Sequence, residues 1–102
     1  MKKYDAIVIG AGHNGLTNAA FLAKAGLDVL MVEKNTYVGG ATASRELHKN
    51  WIYSNASYVS SLLRPEIFRT LELAKYGLQI VPYAGGNVTM SQDGDYIGSY
   101  VD

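Results

Sequence analysis

The stretch VIGAGHNGLTNAAFLAKAG, residues 8–26, decides the fold. It sets Gly10, Gly12 and Gly15 between a β-branched apolar run and an alanine-rich run. Residues 4–9 read as a buried strand of a parallel sheet, because the run is apolar and stops at a glycine turn. From residue 14 to 25 the apolar period becomes helical. Leu16, Ala19, Ala20 and Ala23 share one face, which Phe21 and Leu22 widen. Gly26 suits the position just past a helix end, where the backbone turns left-handed. Residues 28–33, Asp-Val-Leu-Met-Val-Glu, give a second buried strand. Strand, helix and strand within about 30 residues make a βαβ unit, so the fold class is α/β and Rossmann-like.

Each glycine has a distinct task in such a turn. Gly10 allows the sharp exit from the strand. Gly12 leaves the backbone open to a pyrophosphate. Gly15 lets the helix lie close to the strand. The free N–H groups and positive end of the helix then face the phosphates. Glu33 ends the second strand, 18 residues after Gly15, at the expected place for a carboxylate that accepts hydrogen bonds from both ribose hydroxyls. The same charge repels a 2′-phosphate, which disfavours NADP and leaves NAD, FAD and related adenine dinucleotides.

Glu33 is followed by KNTYVGG. A plain NAD domain continues from its acidic residue into another helix and strand, whereas this chain has a glycine pair, Gly39-Gly40, six and seven residues on. Adjacent glycines let backbone approach a ligand that extends past its pyrophosphate.

On these residues, YDAIVIGAGHNGLTNAAFLAKAGLDVLMVEKNTYVGG resembles the N-terminus of FAD-dependent oxidoreductases of the phytoene desaturase and amine oxidase superfamily. With SYVSSLLRPEIFRTLELAKYGLQIVP, residues 57–82, it is most similar to the carotenoid/retinoid oxidoreductase branch and its phytoene-dehydrogenase-like members. The resemblance implies FAD as cofactor. It implies that Gly10, Gly12 and Gly15 hold the pyrophosphate, with backbone contacts from Ala11, His13 and Asn14. Glu33, with its neighbour Lys34, lies at the adenosine ribose, and Gly39, Gly40, Ala41 and Thr42 run beside the pyrophosphate and ribitol. Ala41 stands where many relatives carry Arg or Lys, which leaves Arg45 as the next cation along the chain. Tyr53-Ser54-Asn55-Ala56 replaces the aromatic-Asp-x-Gly pattern of many phytoene desaturases, which argues against a close copy of a carotenoid desaturase site.

The rest of the chain is less regular. Residues 35–45 read as a loop and residues 47–60 as extended or irregular. Pro65 opens a helix expected over residues 65–76, with Ile67, Leu71, Ala74 and Leu78 along one side and Gly77 at its end. Residues 79–83 read as a strand. Residues 87–100 read as a hairpin about Asp93-Gly94. We therefore expect two parts, a dinucleotide-binding βαβ unit over residues 1–48 and the beginning of an α+β substrate domain over residues 49–102. The βαβ unit needs further strands and helices on both faces, so the fold is expected to be incomplete, with bare edges and apolar faces.

Composition excludes several classes. Nine basic and nine acidic residues cancel, and no basic stripe invites nucleic acid. Without cysteine there is no disulfide framework, no thiolate metal site and no redox-active cysteine pair, so a disulfide reductase is not expected. Two lone histidines, His13 and His48, do not suggest a metal; His48 reads as an exposed loop residue, and neither is given a proton-transfer role. Trp51 and the tyrosines, Tyr53 and Tyr58 among them, read first as core and second as walls of an apolar pocket. Arg64 and Arg69 read as solvated charges. The opening apolar run, residues 6–9, is too short for a signal peptide or membrane span, so a soluble cytoplasmic protein is expected.

The function expected is that of the N-terminal, FAD-binding part of a flavin oxidoreductase whose complete form acts on an apolar small molecule by desaturase- or saturase-like chemistry. The 102 residues alone are expected to be inactive, and no catalytic residue can be named. The alternatives are an amine-oxidase-like flavoenzyme and a non-catalytic Rossmann-like module that binds a nucleotide or a protein partner.

Overall fold

The computed structural model describes residues 2–54, 56–82 and 85–99. Its first unit is the βαβ motif. Strands β1 (Ala6–Ile9) and β2 (Val29–Val32) pair in parallel, with Ala6 opposite Val29 and Ile9 opposite Val32. The ladder runs one residue further, because the Gly10 N–H donates to the Val32 carbonyl at 2.7 Å. At the other end the Asp5 N–H donates to the Asp28 carbonyl, and the Asp28 N–H donates to Asp5 Oδ2, each at 2.8 Å.

Helix α1 (His13–Lys24) joins the strands. It stops where glycine permits. Gly26 takes φ +91°, its N–H donates to Ala23, and the Leu27 N–H reaches back to Leu22. Those two bonds satisfy carbonyls that the last turn leaves open.

Beyond β2 a single 3₁₀ turn spans Gly40–Thr42. Strands β3 (Ser44–His48) and β4 (Trp51–Ser54) then form an antiparallel hairpin. Asn50 takes the left-handed conformation in its turn, and its N–H donates to Glu46 Oε1 at 2.7 Å. The loop expected over residues 35–45 therefore gives way to strand at its end. His48 is exposed, as expected, but lies in β3 opposite Trp51. The expected division between residues 48 and 49 falls inside this tight turn, so the hydrogen-bonded hairpin spans it.

Helix α2 (Pro65–Thr70) begins at Pro65, whose missing N–H costs nothing in a first turn. It is shorter than the helix expected over residues 65–76. Glu72 adopts φ +52°, which breaks the helical path, and Leu73–Tyr76 form a separate 3₁₀ turn tied by a Lys75–Glu72 ion pair. Residues 79–82 form no strand, and Tyr83, in the same expected strand, lies outside the described residues. Strands β5 (Asn87–Met90) and β6 (Tyr96–Ser99) form the expected hairpin, with Gly94 at φ +93° in the turn and Ser91 N–H donating to the Asp95 carbonyl. Tyr100, the last residue of that expected hairpin, lies outside the described residues.

The two first strands are open rather than buried. Ile7 is 62% exposed and Ile9 86%. Among the described residues each strand has a single partner, and the buried hydrophobic residues are Ala11 and Ala43. The radius of gyration, 18.5 Å, exceeds the ~13 Å of a packed domain this size. Bare apolar edges and faces thus follow the expectation of an incomplete sheet. Trp51, Tyr53 and Tyr58 are exposed, which corrects their reading as core: among the described residues no second layer lies over them. Among the described residues no helix is long and apolar enough to cross a membrane.

Candidate dinucleotide site

The site gathers at the carboxyl ends of β1 and β2, where open parallel sheets bind ligands. Gly10 leaves β1 at φ +97°, a conformation L side chains resist. Gly15 sits directly behind it: a β-carbon there would lie 2.0 Å from the Gly10 carbonyl oxygen. Gly12 is the reverse case. Its backbone is ordinary, at φ −72°, and a β-carbon would meet nothing within 4 Å. Its lack of a side chain serves open space in front of the turn, not packing.

That space faces the start of α1. No side chain caps the helix, and its first turn carries no acidic residue. The N–H groups of an uncapped first turn are free donors at the positive end of the helix. His13 and Asn14 are both exposed there. The His13 carbonyl accepts the Thr17 hydroxyl at 2.8 Å.

Ala11 is the joint of the site. It is 1% exposed, its N–H donates to Glu33 Oε2 at 2.7 Å, and its carbonyl accepts the Gly39 N–H at 2.7 Å. Both of its polar groups are used inside the protein. Through these two bonds Ala11 links the first glycine motif to Glu33 and to the glycine pair. Gly39 and Gly12 form a parallel bridge, and a β-carbon at Gly40 would come within 3.0 Å of Gly12 Cα. Gly39 and Gly40, at φ +105° and +56°, bring the second loop this close. Thr42 closes it, since its N–H and hydroxyl both donate to the Gly39 carbonyl. Ala41 is exposed, and Ala43 is buried behind the loop.

Glu33 borders an open depression of ≈ 430 Å³ lined also by Ile9, Gly10, Val32 and Lys34. Its carboxylate accepts the Asn35 N–H at 2.9 Å and Asn35 Nδ2 at 2.8 Å, both on Oε1. The Asn35 N–H, followed by the Ala11 N–H, holds the Glu33 carboxyl below its ordinary value, against a smaller opposing effect of desolvation. Asn35 is the site residue that sequence reading missed. The signal was an amide two residues past the carboxylate, close enough along the chain for its backbone N–H and its side chain both to donate back to Glu33.

Arg45 lies over the Tyr37 ring, 4.6 Å from its centre. Trp51 and Tyr53 stack along β4 with centroids 6.3 Å apart, and Tyr58 stands apart from them in exposed chain. Arg64 pairs with Glu66 at 3.4 Å in solvent, as a surface charge does, and Arg69 is exposed. Asn55, in the segment that departs from the desaturase pattern, lies outside the described residues. Among the described residues no cluster of side chains could hold a metal ion.

Comparison with known proteins places this geometry in a family. Residues 8–72 match the model of the NAD(P)-binding Rossmann-like domain. Over 78 residues the chain is 47% identical to pyridine nucleotide-disulfide oxidoreductase domain-containing protein 2 of Rattus norvegicus, a match covering 76% of this chain and 13% of the relative. It is 44% identical to phytoene desaturase of Neurospora crassa over 64% of this chain and 11% of the relative. A solved structure of a putrescine oxidase, redesigned in its cofactor binding, superposes with a TM-score of 0.67 at 27% identity, covering 97% of this chain and 22% of that one. The chain thus spans little more than a tenth of the length of the curated relatives it matches.

Proposed function

The chain belongs to the NAD(P)-binding Rossmann-like domain family, within the amine oxidase and phytoene desaturase superfamily, and from that premise we propose that it is the FAD-binding segment of a flavin-dependent oxidoreductase. The observation that carries the reading is the joint at Ala11, which ties a pyrophosphate turn, a ribose carboxylate and a glycine pair into one cradle.

The residues fit FAD. Gly12 leaves the space a β-carbon would fill, and the uncapped start of α1, at His13 and Asn14, offers N–H donors to the pyrophosphate. Glu33 and Lys34 border the depression at the strand ends, where the adenosine ribose would lie. Gly39, Gly40, Ala41 and Thr42 would run beside the pyrophosphate and ribitol. The bridge between the glycine motifs favours FAD over NAD, because it holds a second stretch of backbone beside the first. FAD, once bound, would accept electrons from a substrate that is oxidised or, in its reduced form, donate them to one that is reduced. The chain's own part is to bind and orient it.

The complete enzyme acts on an apolar small molecule in this reading, which the likeness to phytoene desaturase supports. An amine substrate is the second reading, favoured by the putrescine oxidase match over nearly the whole chain. A non-catalytic module is disfavoured by the open apolar strands, which need cover. The test is to purify the full-length protein and identify what it carries. Flavin absorbance and release of FAD on denaturation are expected. A folded, colourless protein that ignores added FAD overturns the proposal. Anaerobic bleaching of the flavin by a polyene rather than an amine decides between the substrates.

A further inference from the structure

A ribose with both hydroxyls free offers two O–H donors. A carboxylate has about four acceptor positions, two on each oxygen. In Glu33 three are filled by the protein: two on Oε1 by the Asn35 N–H and Nδ2, and one on Oε2 by the Ala11 N–H. One position, on Oε2, is left. Glu33 alone therefore cannot receive both hydroxyls without giving up a bond that holds the cradle together.

The second acceptor is next to it. Only the NH₂ of an amide can donate to a carboxylate, so the contact between Asn35 Nδ2 and Glu33 Oε1 fixes which way the Asn35 amide faces. Its other atom, Oδ1, is an acceptor, and no hydrogen bond among the described residues reaches it. Asn35 is exposed, so that oxygen is open to a ligand. We propose that Asn35 is a ribose-binding residue: Glu33 Oε2 accepts one hydroxyl of the adenosine ribose, and Asn35 Oδ1 accepts the other. The inference rests on the adenine dinucleotide reading above and assigns the site's recognition of an unmodified ribose to two side chains. Asn35 also holds the Glu33 carboxylate in place, which leaves its free position turned to the ligand.

The test uses the full-length protein stripped of cofactor, with ADP, 2′-deoxy-ADP and 3′-deoxy-ADP as probes. The unaltered protein is expected to bind each deoxy compound roughly five- to tenfold more weakly than ADP, the worth of one hydrogen bond. Asn35→Ala should weaken ADP by a similar factor and lose discrimination against one deoxy compound only. Asn35→Asp keeps an acceptor but sets it against Glu33, so it should bind ADP more weakly yet still penalise both. A general loss of shape in the site weakens all three probes alike and cannot produce that split. The proposal is overturned if Asn35→Ala binds ADP unchanged, or penalises both deoxy compounds as the unaltered protein does. It is overturned equally if Asn35→Asp loses the same discrimination as Asn35→Ala. Unaltered protein that binds ADP but not FAD overturns the flavin reading and leaves the Asn35 test intact. Protein that binds neither overturns both.

Discussion

Gly15 stands so close behind Gly10 that a β-carbon on it would lie 2.0 Å from the Gly10 carbonyl oxygen. The obstacle is backbone, and that backbone is itself held by the Gly10 N–H bond to Val32. Gly15→Ala must therefore push α1 off β1. In the full-length protein the expected cost is about 3 kcal/mol or more, at the upper end for overpacking. Soluble yield and thermal midpoint measure it, and a variant with an unchanged midpoint contradicts the packing described.

Gly12→Ala should behave in the opposite way. The backbone there is ordinary and the β-carbon meets open space. Stability is expected to stay within about 0.5 kcal/mol, while FAD affinity falls at least tenfold because the methyl occupies the ligand's place. Calorimetry paired with flavin titration separates the two effects. Equal losses in both would mean that Gly12 serves packing.

Glu33→Gln tests charge at nearly constant shape. A carboxamide cannot accept from both Ala11 and Asn35 through two oxygens, so the cradle loses a bond as well as its charge. ADP affinity of the full-length protein should fall roughly ten- to a hundredfold. Its preference for ADP over 2′-phospho-ADP should narrow, since the repulsion is gone. An unchanged preference, measured by competition, counts against Glu33 as the selector.

The pH dependence follows from the direction of the Glu33 shift. The Asn35 and Ala11 backbone N–H groups, with the Asn35 side-chain amide, favour the ionised form, so the folded protein holds its Glu33 proton less tightly than the ordinary value of 4.5. Between that value and the lower folded one the unfolded chain binds more protons, so stability rises with pH there. The contribution is present above 4.5 and lost as pH falls through the folded value. Titration of Glu33 by carbon NMR in the full-length protein should give a midpoint below 4.5. Asn35→Ala should raise it, because one donor is removed.

The isolated 102-residue chain should not unfold cooperatively. With Ala11 and Ala43 the buried hydrophobic residues described, and Ile9 and Leu62 about nine-tenths exposed, burial cannot offset the ordering of the backbone. Dye binding and a broad urea transition are expected. A sharp two-state transition would favour an autonomous module.

The βαβ unit was legible because its signals are local and redundant: a β-branched run, three spaced glycines, a helical period and a closing Gly26. Its ends moved by only one or two residues. The β3 strand was not legible, since Ser-Arg-Glu-Leu-His is exposed throughout and carries no alternation. The break at Glu72 escaped because a left-handed glutamate has no sequence signature, and helical spacing on either side masks it. In the site, glycine spacing pointed to Gly10, Gly12 and Gly15 and to the role of each. Spacing could not show that Ala11 spends both of its polar groups on Glu33 and Gly39, a pairing across 22 and 28 residues that only the folded chain reveals.

The same joint sets a rule for recombination. Residues 10–12, 33–35 and 39–40 are separate in the chain, but Ala11 is bonded to the other two groups through main-chain atoms. A chimera with its crossover between residues 12 and 33 inherits the two halves from different parents, and works only where both parents place the Glu33 carboxylate and the Gly39 amide alike. A crossover after Ala43 carries the cradle whole. For grafting onto another scaffold, the smallest transferable piece thus runs from β1 through the buried Ala43, although its glycine fingerprint occupies only six residues.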